Sequence, residues 1–292
     1  MKKVLEFFAF VAVAACFAAC DPADNPINDP GKSLVTVAAD NLVVYLPLES
    51  AEKAVSVGEG ITFAQAKGSA SFAEGILGNG YINTTGNNME EAFLKFNLAS
   101  ANAFKSLESM TFTCWAKLKE DCSKGALLSV NGSGLDWPAF IAYFDNTREN
   151  EGVKEQQVNG RLVFHDAAGV EQNLWLDTFD AAFAKYDKWF QFAFTYEAST
   201  GAWALYVDGI KVKDAVFDPK IPVNNLVTSS CNAMYVGGWS TFIEGQSNQD
   251  WQSYFAGSID EIRIYNRVLS ETELTTLRVE ELSAAIAAAA TK

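Results

Sequence analysis

From Lys188 to Val212 the chain reads KWFQFAFTYEASTGAWALYVDGIKV, and this stretch constrains the fold more than any other. Phe190, Phe192, Phe194 and Tyr196 fall on one parity, and Gln191, Ala193 and Thr195 on the other. A period of two puts the first set on the core-facing side of a strand and the second on the opposite side. Asp208-Gly209 then separates ALYV from IKV, a hairpin signal, because these residues adopt the left-handed backbone of a two-residue turn. Similar short runs recur along the chain, among them NLVVYLPL, AFLKFNL, SMTFTCWAKL, GALLSV, AFIAYF, GRLVFHD, EQNLWL, AMYVGG and FAGSIDEIRIYN. About a dozen strands without long helices between them predict an all-β chain, an antiparallel two-sheet jelly-roll sandwich. Residues 41–269 are expected to form it as one domain.

Two helical pieces interrupt the pattern. TFDAAFAKYD is short and is expected to cross a sheet edge. After the last strand, Ser270-Glu271-Thr272-Glu273 is a capping box that opens a C-terminal helix within residues 270–292. Its alanine-rich end favours helix but offers little to pack.

The amino terminus reads as a targeting segment. MKKVLEFFAFVAVAACFAACDPADNP has two lysines, an apolar run and small residues before cysteine. Phe17-Ala18-Ala19-Cys20 resembles the lipobox of bacterial lipoproteins, with Phe17 where that family usually has Leu; Val13-Ala14-Ala15-Cys16 fits the same pattern. The expectation is a lipoprotein signal peptide over 1–19 and a lipidated Cys20 with a flexible tether over 20–40; a cleaved, soluble secreted chain is the alternative. The acidic stretch after Cys20 resembles the surface-export signals of Bacteroidetes lipoproteins, which implies an exported, lipid-anchored domain at the outer membrane or cell surface. A formal net charge of −14 makes nucleic acid a poor partner and leaves the lipid anchor as the only membrane contact expected. If Cys20 carries lipid, Cys114, Cys122 and Cys231 remain, an odd number that indicates no disulfide framework; Cys114 shares the apolar parity of its strand and reads as a buried thiol.

WFQFAFTYEASTGAWALYVDGIKV, the later MYVGG and FAGSIDEIRIYNRVLSETEL together resemble the laminin-G-like domain of the concanavalin A-like lectin/glucanase superfamily. Trp189, Tyr206, Asp208, Gly209 and the run Gly257, Ile259, Asp260, Glu261, Arg263, Tyr265 and Arg267 hold matching positions. The resemblance spans about residues 41 to 275 and implies the fold. It leaves the function open among sugar-binding modules, adhesion domains and glycosidases.

The chemistry that the residues allow is narrow. His165 is the only histidine, which disfavours a histidine-based triad or a histidine-rich zinc site, and there is no phosphate-cradling glycine loop, CxxC pair or EF-hand loop. The superfamily's glucanases place their acids as Glu-x-Asp-x-x-Glu on one strand, and no strand here carries that arrangement. Asp177 and Asp180 stand at a strand end, and the adjacent Asp260 and Glu261 are expected on opposite faces. Asp260 shares parity with Ile262 and Ile264, so it is expected on the buried face with a partner, either backbone N–H groups, an arginine or a cation. The resemblance implies that Asp260 and Glu49 share a structural calcium.

The candidate ligand surface is loops that mix aromatic and polar residues, since an indole stacks on the C–H face of a pyranose while amides and carboxylates take its hydroxyls. NGSGLDWPAF supplies Asn131, Asp136 and Trp137; GGWSTFIEGQSNQDWQSYF supplies Trp239, Phe242, Gln246, Asn248, Asp250 and Trp251. Alternatively, these rings plug the end of the sandwich. Trp115, Trp189 and Trp203 lie within strand patterns and read as packing. The function expected is non-catalytic binding of a polysaccharide or glycan; a protein-binding adhesion module is the alternative and a glycoside hydrolase the third reading.

Overall fold

The computed structural model describes residues 36–119, 124–132, 137–165, 171–218, 220–226, 231–246 and 252–290. The expected signal peptide, Cys20 and Cys122 lie outside these residues. Two antiparallel sheets make up the sandwich. The first runs in the order β14 (Ile210–Val216), β13 (Ala202–Val207), β12 (Phe190–Glu197), β7 (Met110–Leu118), β16 (Gly257–Tyr265), β1 (Leu42–Leu46) and β2 (Val57–Gly58). β5 (Asn79–Asn83) also pairs with β16, and β4 (Ala70–Glu74) pairs with β5. The second runs β11 (Glu171–Asp180), β10 (Val153–His165), β9 (Phe140–Asn150), β8 (Ala126–Val130), β15 (Ala233–Val236), β6 (Ala92–Leu98) and β3 (Ile61–Gly68). Between the sheets lies an aromatic core in which Phe112 stacks on Phe194 at 5.4 Å and Phe144 meets Phe190 edge-on at 6.0 Å.

The alternation of Phe190, Phe192, Phe194 and Tyr196 toward this core is as expected. Gln191, Ala193 and Thr195 on the other face are buried too. The cause is the C-terminal helix α3 (Glu271–Ala290), which follows the four-residue helices α1 (Val223–Leu226) and α2 (Ser240–Ile243) and lies across the outer face of the first sheet. Its capping box forms: Ser270 N–H donates to Glu273 Oε2 at 2.8 Å, and Glu273 N–H to Ser270 Oγ at 3.2 Å. Leu274 and Leu277 bury themselves against Ala193, Ala204, Tyr206 and Tyr265, each leucine contributing about 1.5–3 kcal/mol by leaving water. Beyond Glu281 the alanine-rich end leaves Ile286 exposed. Val37, expected in the tether, joins the same cluster, and Thr36 donates two hydrogen bonds to Glu280.

Strand β16 departs from simple alternation. Asp260 pairs with Trp115 and Arg263 with Thr113, so one extra residue is inserted on β16, and Glu261 takes φ 54°. This is a β-bulge held by a non-glycine residue in the left-handed region. It corrects the parity expected for Asp260. Ile259, Ile262 and Ile264 face the core, while Asp260 is on the face of Arg263 and Tyr265. The adjacent acids Asp260 and Glu261 therefore do not point to opposite faces.

Beneath α3 the bulge assembles a buried polar network. Arg263 pairs with both Glu261 and Glu281. Tyr45 Oη donates to Glu261 Oε1 at 3.0 Å; Trp115 Nε1 and Gln191 Nε2 donate to Glu281 Oε2 at 2.6 and 2.8 Å. Burial pushes the Glu281 carboxyl up to about 7, against the pull of Arg263. Cys114 is a buried thiol, pushed well above its ordinary range by burial, and Cys231 is a second buried cysteine.

Candidate functional site

Asp260 and Glu49 both grip the turn between β4 and β5. Asp260 Oδ2 accepts the N–H groups of Ile76 and Leu77 at 2.9 and 3.0 Å, and Oδ1 accepts that of Glu261 at 2.8 Å. Glu49 Oε2 accepts Asn79 N–H at 2.9 Å. The turn is tailored to these carboxylates. A Cβ on Gly75 would stand 2.2 Å from Asp260 Oδ2, and one on Gly78, where φ is +60°, 2.1 Å from Glu49 Oε1. A calcium shell is built of oxygens, whereas here N–H donors converge on the acids, so this donor set does not fit the cation implied by the resemblance. Burial pushes the Asp260 carboxyl up, and the neighbouring Glu261 adds to the effect.

The two aromatic loops singled out in the sequence do meet, over β8 and β9. Trp137, Trp239 and Phe242 gather with Tyr143 and Ile141 in one cluster. Trp239 is 0 % exposed, with Tyr143 at 4.5 Å and Trp137 at 5.5 Å between ring centres. This corrects its expected role: a ring with no open face packs and cannot stack on a sugar. Phe242 is half-buried against Tyr254 at 5.7 Å. Asn131 is buried, accepting the N–H groups of Asn232 and Ala233 and donating to Glu244, so it ties loops together. Gln246 is exposed and donates to Glu244. Asp136, Asn248, Asp250 and Trp251 lie outside the described residues.

Trp239 introduces a four-residue helix, α2 (Ser240–Ile243), fixed to β8 by Ser129, whose hydroxyl donates to Gly238 O and accepts Ser240 N–H. This helix divides the outer face of the second sheet. On one side a groove of about 630 Å³ is lined by Lys67, Glu91, Phe93, Lys95, Tyr235 and Glu244, among others. Lys95 lies over the Tyr235 ring at 5.6 Å, and Glu244 accepts from Tyr235 Oη at 2.7 Å.

On the other side β9, β10 and β11 present the feature that carries most chemistry. Arg161 pairs with Trp175 and Ile141 across its two neighbours, and Asn159 with Asp177 and Tyr143, so these side chains share one face. The Arg161 guanidinium lies over the Trp137 ring at 3.5 Å and the Trp175 ring at 4.6 Å. Trp175 is 46 % exposed, and its Nε1 donates to Asn159 Oδ1 at 2.9 Å. Asn159 and Arg161 are 0 % and 5 % exposed, yet Asn159 Nδ2, Arg161 Nε and Arg161 Nη1 have no hydrogen-bond partner among the described residues. On the neighbouring strand Asp145 Oδ1 is an unpartnered acceptor; burial pushes its carboxyl up, against the pull of Lys124 and Arg161. Gln157 Nε2 donates to Asp177 Oδ2 at 2.6 Å.

The signal for this site was present in EQNLWLDTFD. Its Leu174 and Leu176 alternate with Trp175 and Asp177, which puts an indole and a carboxylate on the solvent side. A tryptophan opposite two core leucines is the informative residue.

Residues 94–275, well over half of the chain, match a laminin G model of the concanavalin A-like lectin/glucanases superfamily. The chain belongs to that superfamily. The laminin G-like sandwich is likewise similar to solved binding domains of botulinum neurotoxins. For the serotype G binding domain the TM-score is 0.53 at 15% identity, covering 82% of this chain and 51% of that one. For the neurotoxin DC binding domain in complex with SialylT the values are 0.52 and 10%, with 83% and 52% covered. For the same domain in complex with rat synaptotagmin II they are 0.51 and 11%, with 83% and 52% covered. This chain thus spans about half the length of these neighbours, and at such identities the likeness is one of fold. No curated protein sequence matches the chain.

Proposed function

We propose that this chain is a non-catalytic carbohydrate-binding module, exported and lipid-anchored through Cys20 at the outer membrane or cell surface. The observation that carries the sugar-binding reading is the half-exposed Trp175 ring beside buried donors and an acceptor that lack partners. A buried polar group without a partner costs about 1–3 kcal/mol, so atoms of this kind beside an exposed ring favour a polar guest. Water is that guest in the free protein, and the hydroxyls of a sugar stacked on Trp175 replace it in the complex. The superfamily includes lectins, and one solved neighbour is a binding domain in complex with SialylT; both support the reading. The amino-terminal sequence supports the anchor.

A polysaccharide and glycan array probed with the wild-type chain and with Trp175→Ala tests this. Wild type is expected to bind a subset selectively, without releasing reducing sugar. Trp175→Ala is expected to weaken that binding about tenfold or more, the size of a lost stacking contact, at nearly unchanged melting temperature. Hydrolysis is a second reading, favoured by the charge of Asp177 acting on the Asp145 carboxyl, and release of reducing sugar would establish it. Binding unaffected by Trp175→Ala would remove the site proposed here, and an array blank throughout would favour a protein partner.

A further inference from the structure

We propose that the Trp175 site selects neutral saccharides and discriminates against those carrying a carboxylate at the stacked residue. This rests on the carbohydrate-binding reading above and adds the chemical class of ligand.

The first argument is the pattern of open valences. Asn159 Nδ2, Arg161 Nε and Arg161 Nη1 are donors, and Asp145 Oδ1 is an acceptor. A hydroxyl accepts from one group and donates to another at the same time, so a polyol satisfies this mixed set. A carboxylate only accepts. It would answer the amide and the guanidinium but would set its lone pairs against Asp145, leaving that oxygen unpaired in the complex as well.

The second argument is charge. A single arginine on such a face suggests an anion receptor, but its surroundings oppose that use. The carboxylates of Glu171, Asp145 and Asp177 all act on the Arg161 guanidinium. Two cations, Arg161 and the Lys124 ammonium that acts on Asp145, stand among these three carboxylates and leave the site a net negative field. Partial burial lets that field act on a ligand with less solvent screening than at an open surface. The guanidinium is also committed to the two indoles it lies over, at 3.5 and 4.6 Å, and supports the Trp175 ring from the chain side. Across α2 the groove balances Lys67 and Lys95 against Glu91 and Glu244, so its two lysines are the other place on this sheet where an acidic group could bind.

The test uses the full chain in detergent and titration calorimetry at pH 7.5. The probes are neutral hexopyranose polymers of gluco, galacto and manno configuration, each paired with the same polymer oxidised at C6 to the uronate. At least one neutral polymer is expected to bind and to lose affinity in Trp175→Ala. Its oxidised counterpart is expected to bind at least tenfold more weakly. Glu171→Gln removes one charge and no ring or unpartnered donor, so it should narrow that gap about threefold while leaving the neutral affinity unchanged. Raising salt to 0.5 M should narrow it as well. An oxidised polymer that binds as tightly as the neutral one, and is lost in Trp175→Ala, overturns the inference but leaves carbohydrate binding at this site standing. No binding to any polymer of either set removes the carbohydrate reading and the inference with it. Oxidised polymer held only through the groove, so that Lys67→Ala/Lys95→Ala abolishes it while the neutral polymer still needs Trp175, supports the proposal.

Discussion

Two arginines stand on the outer faces of the two sheets, and they are treated in opposite ways. On the first sheet Arg263 is 1 % exposed and pairs with Glu261 and Glu281, roofed by α3. On the second Arg161 is nearly as buried, yet rests on two indoles with two of its nitrogens unpartnered and, among the described residues, no helix above it. On one face the charges pair with each other inside the fold; on the other the guanidinium has aromatic rings as its neighbours. The difference teaches where to look for function in a sandwich whose catalytic motifs are missing. Burial is common to both arginines, and each keeps an unpartnered nitrogen; the two carboxylates that neutralise Arg263 and the rings that Arg161 rests on separate them.

The largest effect should come from deleting the enclosed arginine. Arg263→Met leaves Glu261 and Glu281 buried without their cation and is expected to cost about 3–5 kcal/mol in denaturant melts. Arg161→Met removes ring contacts but also two unpaired donors, and should change stability by less than about 1 kcal/mol while weakening glycan binding. Equal destabilisation by both would erase the contrast.

The pH dependence of stability sharpens it. Below pH 4.5 the Glu281 carboxyl is protonated in folded and unfolded chains alike. Between that value and about 7 the folded chain keeps a proton that the unfolded chain has lost. The stability contributed by this proton is therefore complete below pH 4.5 and lost as pH rises through about 7, with a ceiling of about 3 kcal/mol at roughly 1.4 kcal/mol per unit. Melting temperature should fall from pH 5 to pH 8, and Glu281→Gln should flatten this slope. A slope unchanged in the variant would mean that another group titrates.

The smallest effect expected is that of calcium. Because N–H donors serve Asp260 and Glu49, millimolar calcium and excess chelator should give melting temperatures within about 1 °C of each other. A rise of several degrees with calcium would reinstate a cation at the turn between β4 and β5.

The sheets were legible because alternation is a local property. Phe190, Phe192 and Phe194 declare their face within seven residues, and Ser270 with Glu273 declares the helix start. The bulge at Glu261 was not legible. Its left-handed φ is held by a non-glycine residue whose carboxylate is engaged by Tyr45 and Arg263, partners remote or out of register in sequence. That single inserted residue moved Asp260 to the other face. Trp239 was misplaced for a related reason: composition marks a loop as aromatic and polar, but whether its ring faces solvent depends on Tyr143 and Trp137 arriving from elsewhere in the chain. Trp175 was readable in principle, since two leucines flank it in alternation. Which sheet face lacks a cover is decided by where α3 docks, and Leu274 and Leu277 alone do not say which strands they will meet.

The two hydrogen bonds from Thr36 to Glu280 also bear on presentation. They hold the start of the described chain beside α3, on the side of the sandwich away from Trp175. Anything that tethers this protein from residues preceding Thr36 therefore pulls on its helix-covered back. The sheet that carries Trp175 would be the face farther from such a tether's first described residue.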